Sequence, residues 1–170
     1  MKTILIALLT ILSINIVAQN PTEDIAQIRK MYNYTNANYK KMKRITKNLD
    51  TEGAEGGTID FYYQNNGEYN LIIKTVYNET GKIKTEYYFG INNYLNFILE
   101  QTVRYNATIT SKSFDEKKSK KTILKYYVRG SNVFKVVDSK NKTIKKTEAF
   151  CQTIVDDIRD IIIDNEDKNL

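Results

Sequence analysis

The sequence predicts an α+β domain: an antiparallel β-meander of about six strands, covered on one face by an N-terminal and a C-terminal helix. Three observations carry that prediction. Apolar residues recur every three or four positions near both ends of the chain. Between those ends they alternate with polar residues, and turns rich in Asn and Gly divide the alternating stretch into hairpins.

Ahead of the first helix, Met1-Lys2 opens the chain, residues 3–17 form an almost unbroken apolar run, and Ala18 closes it. This is the layout of a secretory signal peptide, with cleavage leaving Gln19 at the new N-terminus. A transmembrane anchor is the alternative, but spanning a bilayer takes about 20 apolar residues and the run is shorter. The chain therefore reads as a signal peptide over 1–18 and a single α+β domain over 19–170. Its expected location is the periplasm or the extracellular space, with no transmembrane anchor after cleavage. About 150 residues suffice for one buried core. One Pro and seven Gly leave no flexible linker, and a single Cys, Cys151, forms no intramolecular disulfide. At an apolar position of the last helix, Cys151 reads as a buried structural thiol.

Thr22 suits a helix N-cap, and Glu23 and Asp24 suit the positive end of the helix dipole. Ile25, Ile28, Tyr32, Thr35, Tyr39 and Met42 fall on one stripe, which predicts an amphipathic helix over 22–47. From Gly57 the period becomes two. Ile59, Phe61 and Tyr63 share a face, Asn65-Asn66-Gly67 turns the chain, and Tyr69, Leu71, Ile73, Thr75 and Tyr77 return. A three-residue turn at Glu79-Thr80-Gly81 sets Asn78 opposite Lys82, which pairs Ile73 with Tyr87 and Lys74 with Glu86. Leu95, Phe97, Leu99 and Val103 continue the inner face, and 106–120 reads as a polar loop or a weak edge hairpin. "TILKYYVR" and "NVFKVVD" make a last hairpin, the helical period returns from about Thr143, and the chain ends in a frayed, acidic "DNEDKNL".

Tyr-Tyr pairs occur in "DFYYQN", "TEYYFG" and "LKYYVR". Adjacent side chains on a strand point to opposite faces, so Tyr63 and Tyr87 are expected in the core and Tyr62 and Tyr88 on the outer face. With Ile72, Tyr94 and Ile98 they form the first candidate binding surface, since aromatics with a polar tip suit contact with a protein or an envelope glycan. The second candidate is basic. The net charge is +6, and Lys117, Lys118, Lys120, Lys121, Lys125 and Arg129 concentrate it within 112–146. Such a run suits a polyanion: an anionic glycan, a lipid headgroup or a nucleic acid. No DNA- or RNA-binding motif surrounds it, which argues against nucleic acid.

Histidine is absent, which removes the commonest general base and the commonest zinc ligand. One Cys builds no thiolate cluster, and no GxSxG, P-loop or dinucleotide fingerprint occurs. Asp156, Asp157 and Asp160 read as the solvated face of the last helix. The expectation is no enzyme, no cofactor and no metal site.

The meander "GGTIDFYYQNNGEYNLIIKTVYNETGKIKTEYYF" resembles small exported proteins of Gram-negative bacteria. Their pattern is a helix, tyrosine-rich hairpins carrying "ETGK" and "EYYF", and a final "YY" hairpin and helix. "GKIKTEYYF" is also similar to the hairpin unit of MORN-type repeats, although the copies here are irregularly spaced. Neither resemblance implies a catalytic motif or a site residue. These readings converge on an exported, non-enzymatic binding or interaction module that uses the outer tyrosine-bearing face, with polyanion binding through 112–146 as the alternative.

Overall fold

The computed structural model describes residues 21–50, 53 and 55–167. The signal segment 1–18 and its cleavage point lie outside the described residues, as do positions 51, 52, 54 and 168–170. The fold is the expected α+β meander with a helix at each end, built on seven antiparallel strands in sequence order. α1 (Pro21–Asn38) leads into β1 (Lys43–Leu49) and β2 (Gly57–Tyr63). β3 (Tyr69–Asn78), β4 (Gly81–Phe89), β5 (Leu95–Arg104), β6 (Lys120–Arg129) and β7 (Asn132–Asp138) follow, and α2 (Glu148–Asp167) ends the described chain. Thr147 caps α2, its Oγ1 accepting from the Phe150 N–H at 3.2 Å.

The additional strand is β1, which occupies the tail of the helix expected over 22–47. The helix stops at Asn38, a 3₁₀ turn covers Tyr39–Lys41, and Met42 is extended at φ −81° and ψ 159°. The apolar stripe gives out at Met42. Beyond it, "KRITKNL" satisfies the open edge of β2, placing Ile45 beside Phe61 and Arg44 beside Tyr62. Backbone groups left unpaired along that edge favour the strand over continued helix.

Register differs from the expectation by one residue. The β3–β4 turn is the two-residue Glu79-Thr80, so Asn78 faces Gly81, Ile72 faces Tyr87 and Leu71 faces Tyr88. At Gly81 the β4 backbone also approaches β5 closely, and a Cβ there would lie 2.3 Å from the Val103 carbonyl oxygen. A one-residue slip normally exchanges core for solvent. Here both faces of the sheet are covered, and the helices lie on opposite sides instead of sharing one. Ile72, Tyr87, Ile98 and Tyr126 pack with Val155, Ile158 and Ile161 of α2. Leu71, Tyr88, Phe97 and Tyr127 pack with Ile28 and Tyr32 of α1.

Three β-bulges sit at the tyrosine end of the sheet, with Asn70, Asn96 and Phe134 as the extra residues. A bulge resets which face each side chain takes. Tyr69 and Leu95 therefore join the α2 layer although Leu71 and Phe97 belong to the α1 layer. Each tyrosine pair gives one ring to each layer: Tyr63, Tyr87 and Tyr126 toward α2, and Tyr62, Tyr88 and Tyr127 toward α1. The acidic C-terminal stretch is helical as far as Asp167. Within it Asn165 is 3% exposed and donates through Nδ2 to the Tyr69 hydroxyl at 3.0 Å.

Candidate functional site

Four of the five residues expected on an outer face are in the core. Tyr62, Ile72, Tyr88 and Ile98 are buried, with Tyr88 at 0% exposure. They do not share a face either: Ile72 and Ile98 lie under α2, Tyr62 and Tyr88 under α1. The physical reason is the second helix layer, which turns a two-layer expectation into helix, sheet, helix. The Tyr88 ring stacks obliquely on Tyr32 at 5.0 Å and Phe97 at 5.7 Å, and its hydroxyl donates to Glu86 Oε2 at 2.5 Å. Burial, together with Glu86, drives that hydroxyl far above its ordinary pKa. Tyr94 is the exception, at 62% exposure.

The basic run is divided between the turn before β6 and the two faces of the sheet. Lys117 lies in the 3₁₀ turn before β6, as does Lys118, which pairs with Asp115 at 3.7 Å. Along β6 the faces alternate. Lys121, Lys125 and Arg129 lie on the α1 side and Lys120 on the other. Lys125 donates to Asn141 Oδ1 at 3.1 Å. Arg129 is ion-paired with Asp24 of α1 and sits 5.0 Å over the Phe134 ring.

Of the three helix aspartates, Asp160 is exposed, and Asp156 accepts from Arg159 at 2.7 Å and Gln152 at 2.9 Å. Asp157 corrects the solvated-face reading. Its Oδ1 holds Lys74 Nζ at 2.7 Å and its Oδ2 holds the Tyr87 hydroxyl at 2.5 Å, both on the sheet. Cys151 is half-buried, and burial raises its thiol pKa, in keeping with a structural thiol.

Glu100 on β5 lies on the same side, and burial raises its carboxyl pKa, with Lys146 and the Tyr126 hydroxyl opposing. A raised carboxyl pKa means the folded chain holds this proton more tightly than the unfolded one. Its stabilising effect is therefore complete below the ordinary value of 4.5 and disappears as pH rises through the folded-state value. In urea titrations at stepped pH, Glu100→Gln is expected to remove that decline relative to the parent. Parallel curves for the two proteins would refute the assignment.

Tyr94 and Arg129, one residue from each candidate surface, come together in a groove of about 490 Å³ beside α1. Ile28 and Met31 of α1 form one wall, Ile91 and Tyr94 of the β4–β5 connection another, and Val128 the third. Ile91 is 79% exposed. The connection is held in place: Asn92 and Asn93 take left-handed conformations, at φ 57° and 56°, and Asn93 Oδ1 accepts from the Tyr69 N–H at 2.7 Å. The bulge at Asn96 aims its amide at Met31 Sδ, 3.6 Å away. A Cβ at Gly90 would lie 2.3 Å from that amide and would turn it away from Met31. Ile91 escaped the sequence reading; its only signal is an isolated apolar residue inside the turn "GINNY".

No protein-family model, characterised protein or solved structure matches the chain, and the geometry alone carries its functional reading. Among the described residues no group of three or more Cys, Asp or Glu is placed to hold a metal ion. No helix among them is long and apolar enough to cross a membrane.

Proposed function

We propose that the domain is a non-enzymatic binding module, exported as its first residues suggest, that captures a partner protein through the groove beside α1. One observation carries this: Ile91 and Tyr94, two large apolar side chains at 79% and 62% exposure, are presented together by a braced loop. Exposed apolar side chains clustered over a concavity mark contact surfaces. The occupant is an apolar side chain of a protein segment, because the walls are mostly apolar and the one cation, Arg129, is neutralised by Asp24. A polyanion finds no unbalanced positive charge in this groove.

The test is retention of envelope proteins on the immobilised domain. A partner held by the parent is expected to be retained at least about tenfold less by Tyr94→Ala with Ile91→Ala, and equally well by Lys120→Ala with Lys121→Ala. Raising NaCl from low to high concentration leaves such a contact largely unchanged, since apolar burial is not screened. Retention lost in salt but insensitive to Tyr94 and Ile91 would favour the polyanion reading and reject this one.

A further inference from the structure

The α2 side of the sheet contains a second, chemically different concavity. Between the first turns of α2 and strands β3 to β5 lies a cleft of about 300 Å³, at the lower end of the range of about 300–1,000 Å³ typical of ligand pockets. Its rim is apolar: Val76, Ile83, Phe150 and Ile154. Ile83 and Phe150 are 40% and 41% exposed, so ligand burial there removes apolar surface from water. Its floor is polar: Lys74, Thr85, Tyr87, Glu100 and Asp157.

The floor groups are unequally satisfied. Asp157 engages Lys74 through one oxygen and Tyr87 through the other, and thereby balances the Lys74 charge. Glu100 faces Thr85 on β4 and Leu124 on β6. Its polar neighbours are the Tyr126 hydroxyl and Lys146, and it forms no ion pair within 4 Å among the described residues. Lys146 instead places its ammonium 4.1 Å from the Phe150 ring centroid, so the rim already accommodates a cation.

We propose that this cleft binds a small amphipathic amine, its ammonium on the Glu100 carboxylate and its hydrocarbon or aromatic body against Ile83, Phe150 and Ile154. The charge pattern selects this class. An anionic ligand meets two carboxylates, a Lys74 charge already balanced by Asp157, and only Lys146 at the rim, drawn onto the Phe150 ring. A neutral apolar ligand strips water from Glu100 without replacing it, which is costly for a carboxylate. An ammonium supplies the close ion pair that Lys146, held over Phe150, does not make with Glu100, and takes the place of Lys146 on that ring.

The experiment compares ligands of one carbon skeleton on the purified protein at neutral pH: n-hexylamine, n-hexanol and hexanoate, titrated by heteronuclear NMR. The amine is expected to bind saturably, at least about tenfold tighter than the alcohol or the carboxylate, with shifts centred on Lys74, Ile83, Thr85 and Phe150. Glu100→Gln should bring the amine down to the level of the alcohol. Equal binding of amine and alcohol by the parent, preference for hexanoate, or no saturable binding of any of the three would each overturn the proposal. Because these comparisons use the parent protein, they stand even if the Glu100 variant folds poorly.

Discussion

Tyr88→Ala is expected to destabilise the protein by about 3–5 kcal/mol in urea unfolding, as much as Tyr87→Ala, because both truncate fully buried aromatics. The side chains are 0% and 1% exposed and occupy opposite layers of the fold. Removing Tyr88 empties a site between Tyr32 and Phe97 and takes from Glu86 one of its hydrogen-bond donors, leaving Lys84 at 2.7 Å. Such a loss is a large share of the stability of a domain this size, about 5–15 kcal/mol. Tyr88→Phe separates ring from hydroxyl and is expected to cost about 1.5–3 kcal/mol, the net worth of a hydrogen bond to a charged group such as Glu86. Should Tyr88→Ala cost no more than about 1 kcal/mol while Tyr87→Ala costs several, α1 is not seated on the sheet and the outer-face surface is restored.

Much of the architecture was legible because it rests on periodicity. The helical stripes at each end, the hairpin turns and the antiparallel order all appear in the structure. What escaped was layering. Two amphipathic helices suggest a single apolar sheet face, and such a face implies strict alternation along the strands. Yet "LII", "YYF" and "FIL" are unbroken runs of apolar and aromatic residues, the pattern of strands buried on both sides. Reading them so would have placed one helix on each face and assigned both members of every tyrosine pair to the core. The register error shares this origin. With both faces apolar, pairing Tyr87 with Ile73 or with Ile72 looks equally good, and the choice falls to the turn, which takes two residues and not three.

The candidate site was less legible, for reasons specific to its residues. Tyr94 was identifiable from its place beside an Asn-rich turn. Its partners Met31 and Asp24 come from α1, some 60 to 70 positions earlier, and bulges decide which way Asn96 points. The basic run is split between faces because the consecutive strand residues Lys120 and Lys121 part to opposite sides of the sheet, which counting charges in sequence does not register.

The last expected result concerns the acidic face of α2. Asp157→Ala is expected to cost about 2–3 kcal/mol, whereas Asp160→Ala stays within about 0.5 kcal/mol. The two aspartates are three positions apart and look equivalent in sequence, but Asp160 is exposed, while Asp157 holds Lys74 and the Tyr87 hydroxyl. The Lys74 side chain is 11% exposed and that of Asp157 35%. Breaking a fully buried pair by removing one partner costs about 3–5 kcal/mol, and water at the more exposed carboxylate lowers the figure here. The loss also leaves the Tyr87 hydroxyl without its acceptor in a layer where Tyr87 is 1% exposed. Replacing both charges at once, Lys74→Met with Asp157→Leu, is expected to recover part of the stability lost in Asp157→Ala, since a charge deprived of its counterpart costs more than an apolar pair of similar size. Equal urea midpoints for Asp157→Ala and Asp160→Ala would show that water, and not Asp157, satisfies Lys74 and Tyr87, and that the floor of the α2 cleft is open to solvent.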